Sequence, residues 1–101
     1  MKVLFVCNQG KHRSRTAAEL FKGSFETRHA GLYSESPVSE RDLVWADMIV
    51  VMEEHQREEL VKRFPQECLR KRLVTLGIAD AYRFQQPELV AALRAKIELL
   101  A

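Results

Sequence analysis

The stretch Cys7-Asn8-Gln9-Gly10-Lys11-His12-Arg13-Ser14 holds the residues whose types and spacing could do chemistry. A cysteine thiolate is a nucleophile, and an arginine six positions later presents a planar fork that can hold two phosphate oxygens at once. Gly10 can take backbone angles that other residues resist, so the chain can curl and direct several N–H groups at one point. The spacing predicts a phosphate loop (residues 7–14) with Cys7 at its floor. The candidate phosphate-binding residues are Asn8, Gln9, Gly10, Lys11, His12, Arg13 and Ser14.

The surroundings of this loop decide between two interpretations of Cys7. Cys-x5-Arg occurs by chance in many sequences, and a cysteine that ends a strand is often a small buried hydrophobic residue. Here an apolar strand precedes the loop and a helix follows it, which is the context that a phosphate loop requires. This context favours Cys7 as the nucleophile and Arg13 as the phosphate clamp. Ser14 can donate a hydrogen bond to the thiolate.

Alternating strands and helices must position these residues. Residues 2–7 and 47–52 are apolar runs typical of central parallel strands, 27–32 is a weaker candidate, and 72–76 is the last predicted strand. Helical patterns begin near Ser14, after Ser39 and at Glu54, where Pro65 ends the pattern, and a last one begins at Pro87. We therefore expect one α/β, doubly wound domain over residues 1–101. Its four-stranded parallel sheet would have the order 2-1-3-4, with helices on both faces and the phosphate loop between strand 1 and helix 1.

The carboxyl ends of the strands should carry the site, because ligands bind there in such folds. Cys7 ends the first strand and Asp80 follows the last one, so the two should share one rim of the sheet. An isolated Asp in a loop is often only a turn former. Its place on the rim, with Tyr82 two residues later, favours a functional role. Tyr82 would either line a slot for an aryl ring or pack on the final helix.

Composition and charge exclude several classes of function. The chain has 101 residues, 47% of them apolar and 30% charged, and a net charge of +2, which does not favour binding to nucleic acid or an anionic membrane. No apolar run approaches the ~20 residues that cross a bilayer, and the N-terminal run is too short for a signal peptide. We expect a cytoplasmic protein in which Cys7 and Cys68 are free thiols and no metal site is formed.

Two further interpretations concern polar residues. The side chain of His12 is expected to face solvent from the phosphate loop. The mixed run from Glu53 to Glu59 is expected to be a solvated helix face.

The chain resembles the low-molecular-weight protein tyrosine phosphatases, and within them a short bacterial branch. The resemblance lies first in the phosphate loop, and then in the segments 16–21, 45–53, 80–82 and 87–89. It implies a two-step reaction that needs no metal or other cofactor. Cys7 would attack phosphorus to form a phosphocysteine, Arg13 would hold the phosphate oxygens, and Asp80 would act as general acid and then as general base. The implied partner is a phosphorylated protein or a small aryl phosphate.

The sequence also departs from that family. Ala81 stands where the family has a proline after its acid, and His12 stands where many members have a second cysteine. The chain is shorter than ordinary members, chiefly in the substrate-recognition loops, so a preference for phosphotyrosine is less firmly implied than the chemistry.

Three alternatives remain at the level of sequence. A phosphocysteine carrier would not need Arg13 or Asp80, and a phosphate-binding module would keep the loop without turnover. An arsenate reductase would need a resolving thiol, for which only Cys68 is available.

Overall fold

A four-stranded, all-parallel sheet forms the centre of the protein in a computed structural model that describes residues 1–100. The strand order is β2-β1-β3-β4, as the sequence predicts. The register places Cys7, the last residue of the first strand, opposite Gly31 of the second. The strands are β1 (Lys2–Cys7), β2 (Glu26–Gly31), β3 (Met48–Val51) and β4 (Arg72–Thr75).

Helices cover both faces of this sheet, and residues 1–100 contain one helix more than the four predicted. Pro65 does follow the end of a helix at Arg63, but it also occupies the first turn of a new one, where its missing N–H costs no hydrogen bond. Cys68 therefore lies within a short helix. The helices are α1 (Arg13–Phe21), α2 (Glu40–Trp45), α3 (Glu54–Arg63), α4 (Pro65–Arg70) and α5 (Pro87–Lys96), and a 3₁₀ turn spans Ile97–Leu100.

Two apolar clusters lie on opposite faces of the sheet, because successive side chains of a strand point to opposite sides. Val3, Phe5 and Cys7 of β1 belong to the cluster that includes residues of α1 and α5. Leu4 and Val6 belong to the other cluster, with residues of α2, α3 and α4. Burial on both faces explains why β1 reads as a continuous apolar run. Within residues 1–100, no helix combines the length and the apolar character that crossing a bilayer requires.

Candidate active site

The thiol of Cys7 lies at the floor of the phosphate loop, at the carboxyl end of β1. The Gly10 N–H donates to its Sγ at 3.1 Å, and the Oγ of Ser14 lies 3.1 Å from the same atom. Arg13 and Ser14 are the first residues of α1, so the positive end of the helix dipole is directed at the sulfur. These groups favour negative charge at Sγ, which a nucleophilic thiol requires.

The phosphate loop packs backbone to backbone on the end of β2. Gly10 has φ of 70°, and a Cβ at that position would lie 2.8 Å from the carbonyl carbon of Ala30. A Cβ on Gly31 would lie 2.4 Å from the carbonyl carbon of Gln9. Real Cβ atoms do not approach backbone so closely, so the loop can curl in this way only because both positions are glycine.

The guanidinium of Arg13 closes the loop from within the protein. Its side chain is only 1% exposed, and its Nη1 donates to the carbonyl of Ile78 at 2.8 Å and to a carboxylate oxygen of Glu53. A buried arginine with fixed partners is pre-organised, so little side-chain entropy remains to be lost when it binds an oxyanion. The arginine that the sequence predicts as a clamp is therefore held by the residue that caps α3 and by the segment after β4.

Glu53 is a member of this site that the sequence interpretation missed. Burial opposes its ionisation, but the hydrogen bond and charge of Arg13, with a smaller contribution from His55, hold the pKa of Glu53 below its ordinary value. Glu53 therefore stays ionised and keeps Arg13 neutralised in the absence of phosphate. The interpretation of Glu53–Glu59 as a solvated face is wrong at its first residue, because the end of β3 delivers Glu53 to the rim.

The interpretation of this run as a solvated face is also wrong at Gln56, whose side chain is fully buried. Its Oε1 accepts from the N–H groups of Met52 and Glu53, and its Nε2 donates to Oδ1 of Asn8 at 2.9 Å. The side chain of Asn8 is therefore occupied in bracing the phosphate loop. The signal was present in the sequence, because Glu53 and Gln56 have the spacing of a capping box directly after a buried strand.

Asp80 lies beside Arg13, at the rim where the sequence predicts it. Its carboxylate is 58% exposed, and its Oδ1 lies 3.7 Å from Nη2 of Arg13. At this distance the two groups form an ion pair but not a hydrogen bond. The Asp80 carboxylate is therefore close to Arg13 and still open to solvent. Tyr82, two residues later, is partly buried and packs against the core cluster that contains Cys7.

The side chain of His12 is exposed, as the sequence predicts, and it also makes a contact within the protein. Its Nδ1 accepts a hydrogen bond from the backbone N–H of Phe84 at 3.0 Å. The ring is exposed overall, yet it connects the phosphate loop to the segment that follows Asp80.

A cavity of about 550 Å³ borders the phosphate loop on the side of the segment between β2 and α2. Tyr33 lies in its wall and is half exposed, so an aromatic ring is available there that the sequence interpretation did not single out. Lys11 and Glu35 bring opposite charges to the same cavity. The lining residues are Gln9, Lys11, Tyr33, Ser34, Glu35 and Ser36.

Comparison with known proteins identifies solved structures that share this fold. No protein-family profile and no curated protein sequence matches the chain. Solved structures do match over its length. The YwlE arginine phosphatase from Geobacillus stearothermophilus has a TM-score of 0.77 at 20% identity, with 98% of this chain and 87% of that one covered. The low-molecular-weight phosphotyrosine phosphatase VcLMWPTP-2 from Vibrio cholerae O395 has a TM-score of 0.78 at 17% identity, with 99% and 94% covered.

The fold is that of the low-molecular-weight protein tyrosine phosphatases. A third match with this low-molecular-weight phosphatase fold is a cysteine-to-serine variant of the YwlE arginine phosphatase whose active-site serine is phosphorylated. Its TM-score is 0.74 at 19% identity, with 99% of this chain and 91% of that one covered. The resemblance inferred from the sequence is therefore confirmed for the fold.

Proposed function

We propose that this protein is a cytoplasmic phosphomonoester hydrolase that acts through a phosphocysteine on Cys7. The observation that carries the proposal is the convergence on one thiol of the Gly10 N–H and the Ser14 hydroxyl, in a loop closed by the buried Arg13. This combination serves a nucleophile that attacks an anion, because the same groups stabilise the thiolate and receive the phosphate oxygens. The chemistry requires no metal or organic cofactor, since Arg13 and the backbone N–H groups supply the positive charge.

The first step transfers the phosphoryl group to sulfur. The Sγ–P bond forms as the bond between phosphorus and the leaving oxygen breaks, and its electron pair stays on that oxygen. Asp80, in its protonated form, gives the oxygen a proton. Arg13 and the loop N–H groups hold the equatorial oxygens as charge redistributes.

The second step releases inorganic phosphate. The Asp80 carboxylate takes a proton from water as the water oxygen bonds to phosphorus, and the Sγ–P bond breaks with its electron pair returning to sulfur. The Ser14 hydroxyl, 3.1 Å from Sγ, can donate to the departing thiolate. The phosphorylated serine in the YwlE variant supports a covalent intermediate in that protein, and we extend the same kind of intermediate to Cys7.

The proposed substrate is a phosphorylated protein or an aryl phosphate, with protein phosphotyrosine as the first candidate. The ring of Tyr33 beside the phosphate loop offers an apolar surface on which an aryl leaving group can lie. Tyr82, for which the sequence left open a place in such a slot or packing on the final helix, is partly buried and packs against the core. The fold is shared by tyrosine and arginine phosphatases, so phosphoarginine is the competitor to include in a substrate panel.

Hydrolysis of p-nitrophenyl phosphate by the wild type and by Cys7→Ser tests the proposal. We expect turnover by the wild type in the presence of a chelator, inhibition by vanadate, and a loss of at least about a thousandfold in Cys7→Ser. Cys68→Ser is the matched control and should keep the activity. A folded wild type that binds vanadate without turnover would contradict hydrolysis and favour a phosphate-binding module. Phosphoryl transfer to sulfur without release would favour a carrier.

A further inference from the structure

The segment that carries Asp80 is held against the start of α1 by its own backbone. This Asp80 loop (residues 79–86) leads from β4 to α5 and contains no helix or strand. A turn closes its second half, where the Gln86 N–H donates to the carbonyl of Arg83 at 3.1 Å. Gln85, within that turn, has φ of 58°, in the left-handed region that a non-glycine residue rarely adopts without support.

Three neighbouring contacts join this turn to α1. The Phe84 N–H donates to Nδ1 of His12 at 3.0 Å, and the Gln85 N–H donates to Oγ1 of Thr16 at 2.9 Å. The guanidinium of Arg15 lies 3.9 Å from the centre of the Phe84 ring. His12, Arg15 and Thr16 are spaced i, i+3 and i+4, so they lie on one face at the start of the helix.

The chemistry of these contacts assigns the donor and acceptor roles. A backbone N–H can only donate, so Nδ1 of His12 is the acceptor in the contact with Phe84. Thr16 donates its hydroxyl to the carbonyl of His12 at 2.6 Å, which leaves its oxygen free to accept from Gln85. Two consecutive N–H groups of the Asp80 loop are thus satisfied by the segment that also carries Arg13.

The side chain of Asp80 is more than half exposed, and its contact with Arg13 is an ion pair at 3.7 Å. Ala81 follows it, so no proline stiffens the backbone there. The backbone is held two residues before Asp80 by the bond from Arg13 to Ile78, and two residues after it Tyr82 packs against the core. The turn in the second half of the loop adds a further anchor to the segment that carries Asp80.

We propose that His12 is a positioning residue that, with Thr16, fastens the Asp80 loop over the phosphate loop and so keeps Asp80 beside the leaving oxygen. The proposal rests on the proposed function, because it assigns His12 a role through the general acid. A fastened loop lowers the entropy cost of bringing the acid to the leaving oxygen in each turnover. Reactions that need the proton should depend on His12, and reactions that do not need it should be much less sensitive.

A pair of substitutions separates the effect of the hydrogen-bond acceptor from the effect of side-chain volume. In His12→Asn, the amide Oδ1 occupies the place of Nδ1 and can still accept from Phe84, whereas His12→Leu fills similar space without an acceptor. The readout is kcat/KM, which reports transfer to Cys7 and departure of the leaving group, because the later hydrolysis of the phosphocysteine uses Asp80 as base with either substrate. With phenyl phosphate, whose leaving group needs a proton, we expect kcat/KM to fall about tenfold in His12→Leu and to be largely restored in His12→Asn. With 2,4-dinitrophenyl phosphate, whose leaving group departs unaided, we expect kcat/KM of both variants to stay within about threefold of wild type. Asp80→Asn gives the reference pattern of selective loss in kcat/KM.

A measurement independent of turnover completes the test. Amide hydrogen exchange should be slow at Phe84 in the wild type, faster in His12→Leu and slow again in His12→Asn. Equal losses of kcat/KM on both phosphates, or no restoration by asparagine, would overturn the positioning role. A wild type that is inactive on both phosphates would contradict the proposed function, and the exchange pattern would still decide whether His12 fastens the loop. If His12→Leu does not fold, Thr16→Val removes the neighbouring acceptor instead. A loss confined to phenyl phosphate with faster exchange at the Gln85 amide would support the fastening, and equal losses on both phosphates would overturn it.

Discussion

Arg13 is the residue on which the charges of the site converge. Its buried guanidinium contacts Glu53, the carbonyl of Ile78 and, at longer range, Asp80. A buried cation is tolerated only when it is paired, and removing one partner costs more than the pair contributes. Glu53 therefore compensates the charge of Arg13 and fixes the position of its guanidinium.

Glu53→Gln should lower both stability and activity. The amide keeps the size of the side chain but removes its charge, so we expect a loss of about 1–3 kcal/mol in the free energy of unfolding. We also expect kcat/KM to fall about tenfold, because the guanidinium loses a fixed partner. Denaturant unfolding and steady-state kinetics measure the two effects. Glu54→Gln is the control, because the Glu54 side chain is exposed and its ion pair is with Arg57. Tighter binding of vanadate by Glu53→Gln would show instead that the Glu53 charge competes with the oxyanion.

The contribution of the Glu53 charge to the free energy of unfolding should be lost in acid. Its pKa is lower in the folded protein than its ordinary value of 4.5, so the folded state binds fewer protons there than the unfolded chain does. The stabilisation is complete above that ordinary value and is lost as the pH falls through the folded pKa. We expect the difference in Tm between wild type and Glu53→Gln to be present at about pH 7 and to shrink as the pH falls below 4.5 and through the lowered pKa of the folded state. A difference that persists unchanged in acid would rule out the ion pair as its source.

At the scale of elements, the contact between the phosphate loop and β2 is the tightest in the site. Gly31 has no special backbone angle, so only the proximity of Gln9 requires a glycine there. The pairing of β1 with β2 places Gly31 opposite Cys7, which brings the end of β2 under the loop.

Gly31→Ala should push the phosphate loop off β2. The added methyl would lie 2.4 Å from the carbonyl carbon of Gln9, so the loop must move and the N–H groups around Cys7 lose their common focus. We expect binding of vanadate to weaken at least about tenfold, with a loss of about 1–3 kcal/mol in stability from overpacking. Titration with vanadate and thermal unfolding check this. Gly23→Ala is the matched control, because a Cβ at Gly23 meets nothing within 4 Å. Unchanged affinity in Gly31→Ala would mean that the loop adapts without loss.

At the scale of the whole molecule, the sheet separates the two thiols. Cys7 belongs to the apolar cluster on one face and Cys68 to the cluster on the other. A disulfide between them would require the sheet to be disrupted, since bridged cysteines need Cα atoms within about 7 Å. This separation disfavours the arsenate reductase alternative, which would use Cys68 as the resolving thiol.

Alkylation should therefore discriminate sharply between the two cysteines. Burial, with the nearby charge of Glu67, raises the pKa of the Cys68 thiol, so its reactive thiolate is scarce at neutral pH. We expect iodoacetamide to modify Cys7 first, phosphate to protect it, and mild oxidation to leave no Cys7–Cys68 disulfide. Peptide mass spectrometry of the wild type and Cys68→Ser reads out each result. First modification at Cys68, or loss of activity in Cys68→Ser, would revive a redox role.

Much of this protein follows from local pattern in its sequence. Continuous apolar runs at 2–7 and 47–52 predict central strands because both faces of such strands are covered, and their alternation with helices predicts a parallel sheet. Cys7 and Arg13 could be recognised because they share one short loop, whose chemistry depends on their spacing. The strand order and the rim location of Asp80 are also as predicted, since parallel crossover rules restrict where strand ends can meet.

Tertiary structure decided the contacts between segments distant in sequence. The partnerships of Glu53 with Arg13, Gln56 with Asn8 and His12 with Phe84 join residues 40, 48 and 72 positions apart. The spacing of Glu53 and Gln56 indicates a capping box, but local pattern does not show whether such polar side chains face solvent or a buried partner. The second helix at Pro65 was missed for a related reason, because a proline both ends one helix and suits the first turn of the next. Local sequence determined which residues could do the chemistry, and packing determined which other residues hold them in place.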